Sequence, residues 1–187
     1  MRSIIENDKE FKEAIGAFII AFSELEFGLA QLGTMTEFNL QKKDSYLIRH
    51  MGYSFSQKVK NLTDYITEHL AEIKPIWDDL KKEIDELNRE RRFIAHGFIQ
   101  YFLSGETKTT YIKEGKKLTS KKHDIKSIKV LTNRLHHLNT GKNGVCGEFH
   151  SLFSKTRVDK WNELVNDDFK IVYRMNNIVV SDWKGSK

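Results

Sequence analysis

Two side chains near the middle of the chain, Arg91 and His96, have types that could share one piece of chemistry. An imidazole ordinarily changes charge near neutral pH, where a group that takes and returns a proton is most effective. A guanidinium is a permanent cation whose planar fork can grip two oxygens of a phosphate or carboxylate at once. Arg91 breaks a local rule, because it occupies one place of an otherwise apolar helical stripe: Trp77, Leu80, Ile84, Leu87, Arg91, Ile94 and Phe98. Such a group needs an acidic partner or a cleft that an anion can enter, since burying it unpaired costs several kcal/mol. Glu24 and Glu26 flank Leu25 on an earlier stripe and are the candidate partners. His96 lies five residues on, about 140° round an ideal helix. One straight helix therefore cannot point both groups into one cleft, whereas a second subunit, or a helix end at Gly97, could bring the two faces together. The plain alternatives are a buried Arg–Glu pair for Arg91 and a capping or surface role for His96.

Other groupings carry less. His136 and His137 are adjacent and so point to different helix faces, while Cys146 and His150 could share one, a weak case for a metal site. No metal or cofactor is expected. A phosphate-cradling glycine loop and a Gly-x-Ser-x-Gly elbow are both missing. The one cysteine, Cys146, excludes an intrachain disulfide.

The elements that must position Arg91 and His96 are legible as hydrophobic periods. Phe11, Ile15, Phe18, Phe22, Leu25, Leu29 and Leu32 recur at steps of four and three, the seam of a first helix that Gly33 could stop. Ser54 with Gln57 three residues later reads as a capping box for a second helix, through Phe55, Val59, Leu62, Ile66, Leu70 and Ile73. Pro75 suits the first turn of a third, which carries the Arg91 stripe. After Gly97 the period shortens, with turn residues at Ser104-Gly105 and Glu114-Gly115, and predicts a small β-hairpin or meander over about 98–122. Asp124 is a natural N-cap for a fourth helix through Ile128, Leu131, Leu135 and Leu138. Gly141, Gly144 and Gly147 interrupt it, and Val145, Phe149 and Leu152 keep its phase, so helix should resume or continue with a kink. Val158, Trp161 and Leu164 predict a last short helix, and the segment around Asn176-Asn177 a second hairpin within a carboxy-terminal extension of about 155–187.

With 187 residues, 39 % hydrophobic and 30 % charged, the chain is sized for one soluble domain over 1–187. Ala17 to Phe22 is the longest apolar stretch and the amino-terminal residues include acids, so neither a membrane span nor a signal peptide is expected, and the protein reads as cytoplasmic. The net charge of +5 is concentrated: eight lysines fall from Lys108 to Lys129, against Glu114 and Asp124. Lys116, Lys117, Lys121 and Lys122, with Tyr101, Phe102 and Tyr111 interleaved, would suit a nucleic-acid backbone with stacked bases, although most such runs are solvated faces over ordinary core packing.

Arg91-Arg-Phe-Ile-Ala-His96-Gly97 resembles the Arg-x4-His signature of the HEPN superfamily, and Phe22-Ser-Glu-Leu-Glu26 is similar to a Phe-Ser-x-Leu-Glu stretch of several bacterial members. The resemblance spans about Phe11 to Leu138. It implies a bundle of four or more helices, with a small β-hairpin insertion after the third here, that dimerises so that two motifs face one cleft. It further implies a metal-independent endoribonuclease of toxin–antitoxin, abortive-infection or phage-defence type, with an antitoxin or regulatory protein as a further partner. His96 would move the proton of the ribose 2′-hydroxyl, Arg91 would stabilise the five-coordinate phosphate, and Glu26 would orient or pair with Arg91. Arg92 stands where the family usually has Asn, an extra cation beside the phosphate site; Phe98 replaces the tyrosine that some members have modified. The competing expectations are a catalytically silent dimer holding nucleic acid or protein, and a purely structural helical adaptor.

Overall fold

The computed structural model describes residues 4–37, 43–96, 98–101, 107–113, 117–141, 144–164, 174–175 and 178–179. The fold is mainly helical, built round α1 (Ile4–Met35). Its stripe of Phe18, Phe22, Leu25, Leu29 and Leu32 is almost wholly buried, and every other described α-helix packs against it. Gly33 does not stop this helix. A Cβ at Gly33 would lie 2.4 Å from Nδ1 of His50, so the glycine instead lets a second helix approach. Closure comes at the next turn, where the Thr36 amide and hydroxyl both donate to the Gly33 carbonyl.

That second helix, α2 (Lys43–Gly52), has no counterpart in the hydrophobic pattern. Its buried position is His50, so the face that packs carries no apolar period to read. α3 (Phe55–His69) starts where expected, with the Ser54 hydroxyl accepting from the Gln57 amide, and buries Phe55, Val59, Leu62 and Ile66. It ends earlier than its stripe: Leu70 leaves helical geometry, and Ala71–Ile73 form a single 3₁₀ turn into α4 (Lys74–His96). Pro75 is the second residue of α4. On this helix Trp77, Ile84, Leu87 and Ile94 are buried, and the Trp77 indole donates to the Thr63 hydroxyl at 3.0 Å while stacking on Phe149.

A three-stranded antiparallel meander follows, β1 (Phe98–Tyr101), β2 (Thr107–Lys113) and β3 (Lys117–Lys122), with β2 in the middle and against α4. The inferred turns at Ser104-Gly105 and Glu114-Gly115 lie outside the described residues. α5 (Ile125–Thr140) opens on a complete capping box: Asp124 accepts from the Ser127 amide and the Ser127 hydroxyl accepts from the Asp124 amide. These bonds favour the ionised carboxylate and hold the Asp124 carboxyl below its ordinary value. The glycines then make a tight turn, not a kinked helix. Val145 and Cys146 amides bond back to the Leu138 and Asn139 carbonyls, and Gly144 sits where a Cβ would lie 2.7 Å from the Asn139 oxygen. α6 (Glu148–Leu164) absorbs both the resumed phase and the inferred last helix. β4 (Arg174–Met175) and β5 (Ile178–Val179) pair antiparallel, and Asn176-Asn177 between them lie outside the described residues.

Among the described residues one helical segment, Lys9–Met35 of α1, is long and apolar enough to cross a membrane by length and composition, and 44 % of its apolar 18-residue window is buried inside the bundle.

Candidate active site

Arg91 keeps its place on the buried side of α4, one turn beyond Leu87, and its environment there is aromatic. The guanidinium carbon sits 4.9 Å from the centroid of the Phe22 ring. Phe22 itself is buried by Phe55 at 5.0 Å and Phe18 at 6.3 Å, so the ring beneath the cation is fixed by its neighbours. A desolvated ring face attracts a guanidinium by about 1–2 kcal/mol. One long hydrogen bond, 3.5 Å from Nη1 to Asn88 Oδ1, steadies the side chain along its own helix. No carboxylate pairs with Arg91 among the described residues. The group is thus half-buried with its guanidinium carbon over the Phe22 ring, and its one long hydrogen bond leaves N–H donors for an anion.

The two acids expected to serve it are used elsewhere. Glu26 takes the ammonium of Lys58, 2.9 Å from Nζ to Oε1, in place of Arg91. Lys58 is only 3 % exposed and also donates to the Met51 and Tyr53 carbonyls at 3.0 and 2.6 Å. All three of its protons are thereby satisfied, which is what permits burial of the charge. This knot pins the turn between α2 and α3 onto α1, so the Phe22–Glu26 stretch contributes a ring to Arg91 and a carboxylate to the fold. Glu24 is exposed on the far side of α1, close enough to Cys146 to add to the effect of burial in raising that thiol's pKa. The Glu26–Lys58 pair is not readable from sequence, because the two residues lie 32 positions apart on different helices.

His96 is the last residue of α4 and is exposed, as is Arg92, which has interactions of its own. Arg91 and His96 therefore leave α4 in different directions, as the helical offset requires. Glu90, one residue before Arg91, forms a second charged cluster that sequence reading missed. It is buried, and its carboxylate meets His123 Nε2 at 2.9 Å and the Lys121 ammonium. Burial alone would raise the Glu90 pKa; the bonds from Lys121 and His123 outweigh it and hold the group below the usual glutamate value. This cluster fastens the end of β3 to α4 beside Arg91.

It also changes the inferred basic patch. Lys121 is committed to Glu90, Lys122 is exposed, and Lys116 lies outside the described residues. Strand alternation places positions 117 and 121 on one face of the sheet and 122 on the other. The register sets Lys113 opposite Lys117 and Lys108 opposite Lys122.

Among the described residues no group of three or more His, Cys, Asp or Glu is placed to hold a metal ion. Comparison with known protein families, with curated proteins and with solved structures finds no match for this chain.

Proposed function

We propose that this protein is a metal-independent endoribonuclease of the HEPN type, cytoplasmic and dimeric, with Arg91 and His96 as its working pair. The observation that carries the reading is Arg91: a cation on a buried stripe, seated on the Phe22 ring with no carboxylate answering it among the described residues. A purely structural arginine at such a site is expected to have an acidic partner, because desolvation is otherwise uncompensated. In the proposed reaction His96 removes the ribose 2′-proton. The 2′-oxygen attacks the adjacent phosphorus, and Arg91 binds the non-bridging oxygens as charge builds on them. The P–O5′ bond breaks and the imidazolium of His96 returns the proton it took to the departing 5′-oxygen, leaving a 2′,3′-cyclic phosphate, a free 5′-hydroxyl and the neutral imidazole. Because the two side chains leave one helix in different directions, the cleft takes them from two copies, and the carboxy-terminal end of α4 belongs to the interface. An antitoxin or other regulatory protein fits a nuclease that must be restrained, in a defence or toxin–antitoxin setting.

The like-charged register of the sheet also favours a second reading, a catalytically silent dimer that holds nucleic acid or a partner protein. Incubating pure protein with structured and unstructured RNA in EDTA separates the two. New cyclic-phosphate ends establish the nuclease, retention without cleavage the silent module, and neither result leaves a helical adaptor.

A further inference from the structure

The contact between α1 and α2 turns on one titratable side chain. Among the described side chains of α2, His50 alone is buried, 4 % exposed. Its ring lies over Gly33 of α1, with Nδ1, Cε1 and Cγ all within 3.0 Å of where a Cβ would stand. Tyr53 meets the ring edge-on, 5.3 Å between centroids. Nε2 is shut away from solvent and makes no hydrogen bond, a costly state that packed interiors rarely hold without a reason. A carboxylate stands close, Glu37 Oε1 at 3.5 Å, but the Arg49 guanidinium takes that same oxygen.

The other charges that face this ring are already matched. Lys58 of α3 is bound by Glu26 and by the Met51 and Tyr53 carbonyls. Glu37 and Arg49 answer each other, as do Glu26 and Lys58, so an imidazolium here would be a buried charge without a partner of its own. Burial pushes His50 below its ordinary value of 6.5; Glu37 opposes that shift, while Arg49 and Lys58 add to it. We propose that α2 is a proton-sensitive latch: neutral His50 seats it on α1, protonation of His50 releases it, and the Lys58-bound turn at residues 51–53 is the hinge. Released, the imidazole takes a proton at its ordinary value; seated, it takes one only at lower pH. Docking of α2 is therefore at full strength above about pH 6.5 and weakens as the pH falls below it. The inference is independent of the ribonuclease reading.

The test follows the full chain between pH 7 and pH 5, above the range in which the Glu90 carboxyl titrates. Amide hydrogen exchange, corrected for its intrinsic dependence on pH, should show protection in α2 falling about tenfold while α4 keeps its own. A His50 that took no proton at all when seated would set the limit at about 25-fold. The His50 ring resonances should titrate below 6.5. Arg49→Gln, at an exposed position, returns the Glu37 oxygen to His50 and should raise that midpoint and flatten the response of α2. His50→Phe should remove the pH dependence of α2 altogether. The proposal is overturned if protection in α2 tracks that in α4 across the range or survives in its pH dependence in His50→Phe. It is equally overturned if His50 titrates at or above 6.5, or if Arg49→Gln changes neither the midpoint nor the response.

Discussion

Replacing Glu26 by Gln distinguishes the fold-supporting role of this residue from a catalytic one. In the structure its carboxylate is one of three acceptors on the buried Lys58 ammonium, at 2.9 Å. Breaking a fully buried ion pair costs about 3–5 kcal/mol because the surviving charge is stranded. Two considerations lower that figure: the Glu26 side chain is 34 % exposed, and the Met51 and Tyr53 carbonyls would still hold the ammonium. Glutamine also keeps an oxygen acceptor, so a loss of about 2 kcal/mol is the reasonable size. For a chain of this length that corresponds to a fall of about 4–8 °C in melting temperature. Lys58→Met, which removes the buried charge itself, should cost less than Glu26→Gln despite deleting more hydrogen bonds, provided the sulfur chain fills the site. Thermal melts give the stability arm, and RNA cleavage per folded molecule well below the melting transition gives the other. The reasoning is refuted if Glu26→Gln melts like wild type but loses cleavage, since Glu26 would then act on the chemistry and not on the α2–α3 turn.

The Glu90 cluster makes a pH prediction. A carboxyl held below its unfolded value of about 4.5 contributes stability that is present above that pH and lost as pH falls through the lower, folded value. Wild type should therefore lose melting temperature on acidification through this window, and Glu90→Gln should be less stable at pH 7 with a flatter acid limb; parallel pH profiles would contradict the assignment. Gly33→Ala should destabilise by about 1–3 kcal/mol, because the new methyl meets His50 in a packed contact between α1 and α2. Urea unfolding checks it, and an unchanged midpoint would mean that His50 moves aside freely.

The long helices were legible because each buries one apolar stripe: the seam from Phe11 to Leu32, the run from Phe55 to Ile66, and the four-and-three rhythm from Trp77 to Ile94 all reappear as buried faces. Caps were legible where one side chain does the work, at Ser54 and Asp124. α2 was hidden because its packed residue is the histidine His50, and the glycine run after Thr140 misled because Val145 keeps helical phase while its amide bonds back in a turn. The site was legible only by exception. Arg91 stood out by interrupting a stripe, but what fills the space around it did not follow from sequence. Phe22 was a core residue by pattern and is also the seat of the guanidinium; Glu26 was a plausible partner by proximity and serves Lys58 instead. Which charge meets which across a bundle depends on helix rotation and crossing, and those are set by packing that no single stripe reveals.

In the proposed ribonuclease reaction Arg91 acts on a phosphate through its planar fork and not simply through its charge. The most direct test of this role is the single-turnover rate of RNA cleavage in EDTA for wild type and Arg91→Lys, with RNA affinity measured on the same preparations. Lysine keeps the positive charge and loses the planar pair of donors, so the account predicts near-normal binding with cleavage slowed at least about 10²-fold, comparable to the loss expected for His96→Ala. Cleavage by Arg91→Lys at the wild-type rate would contradict it.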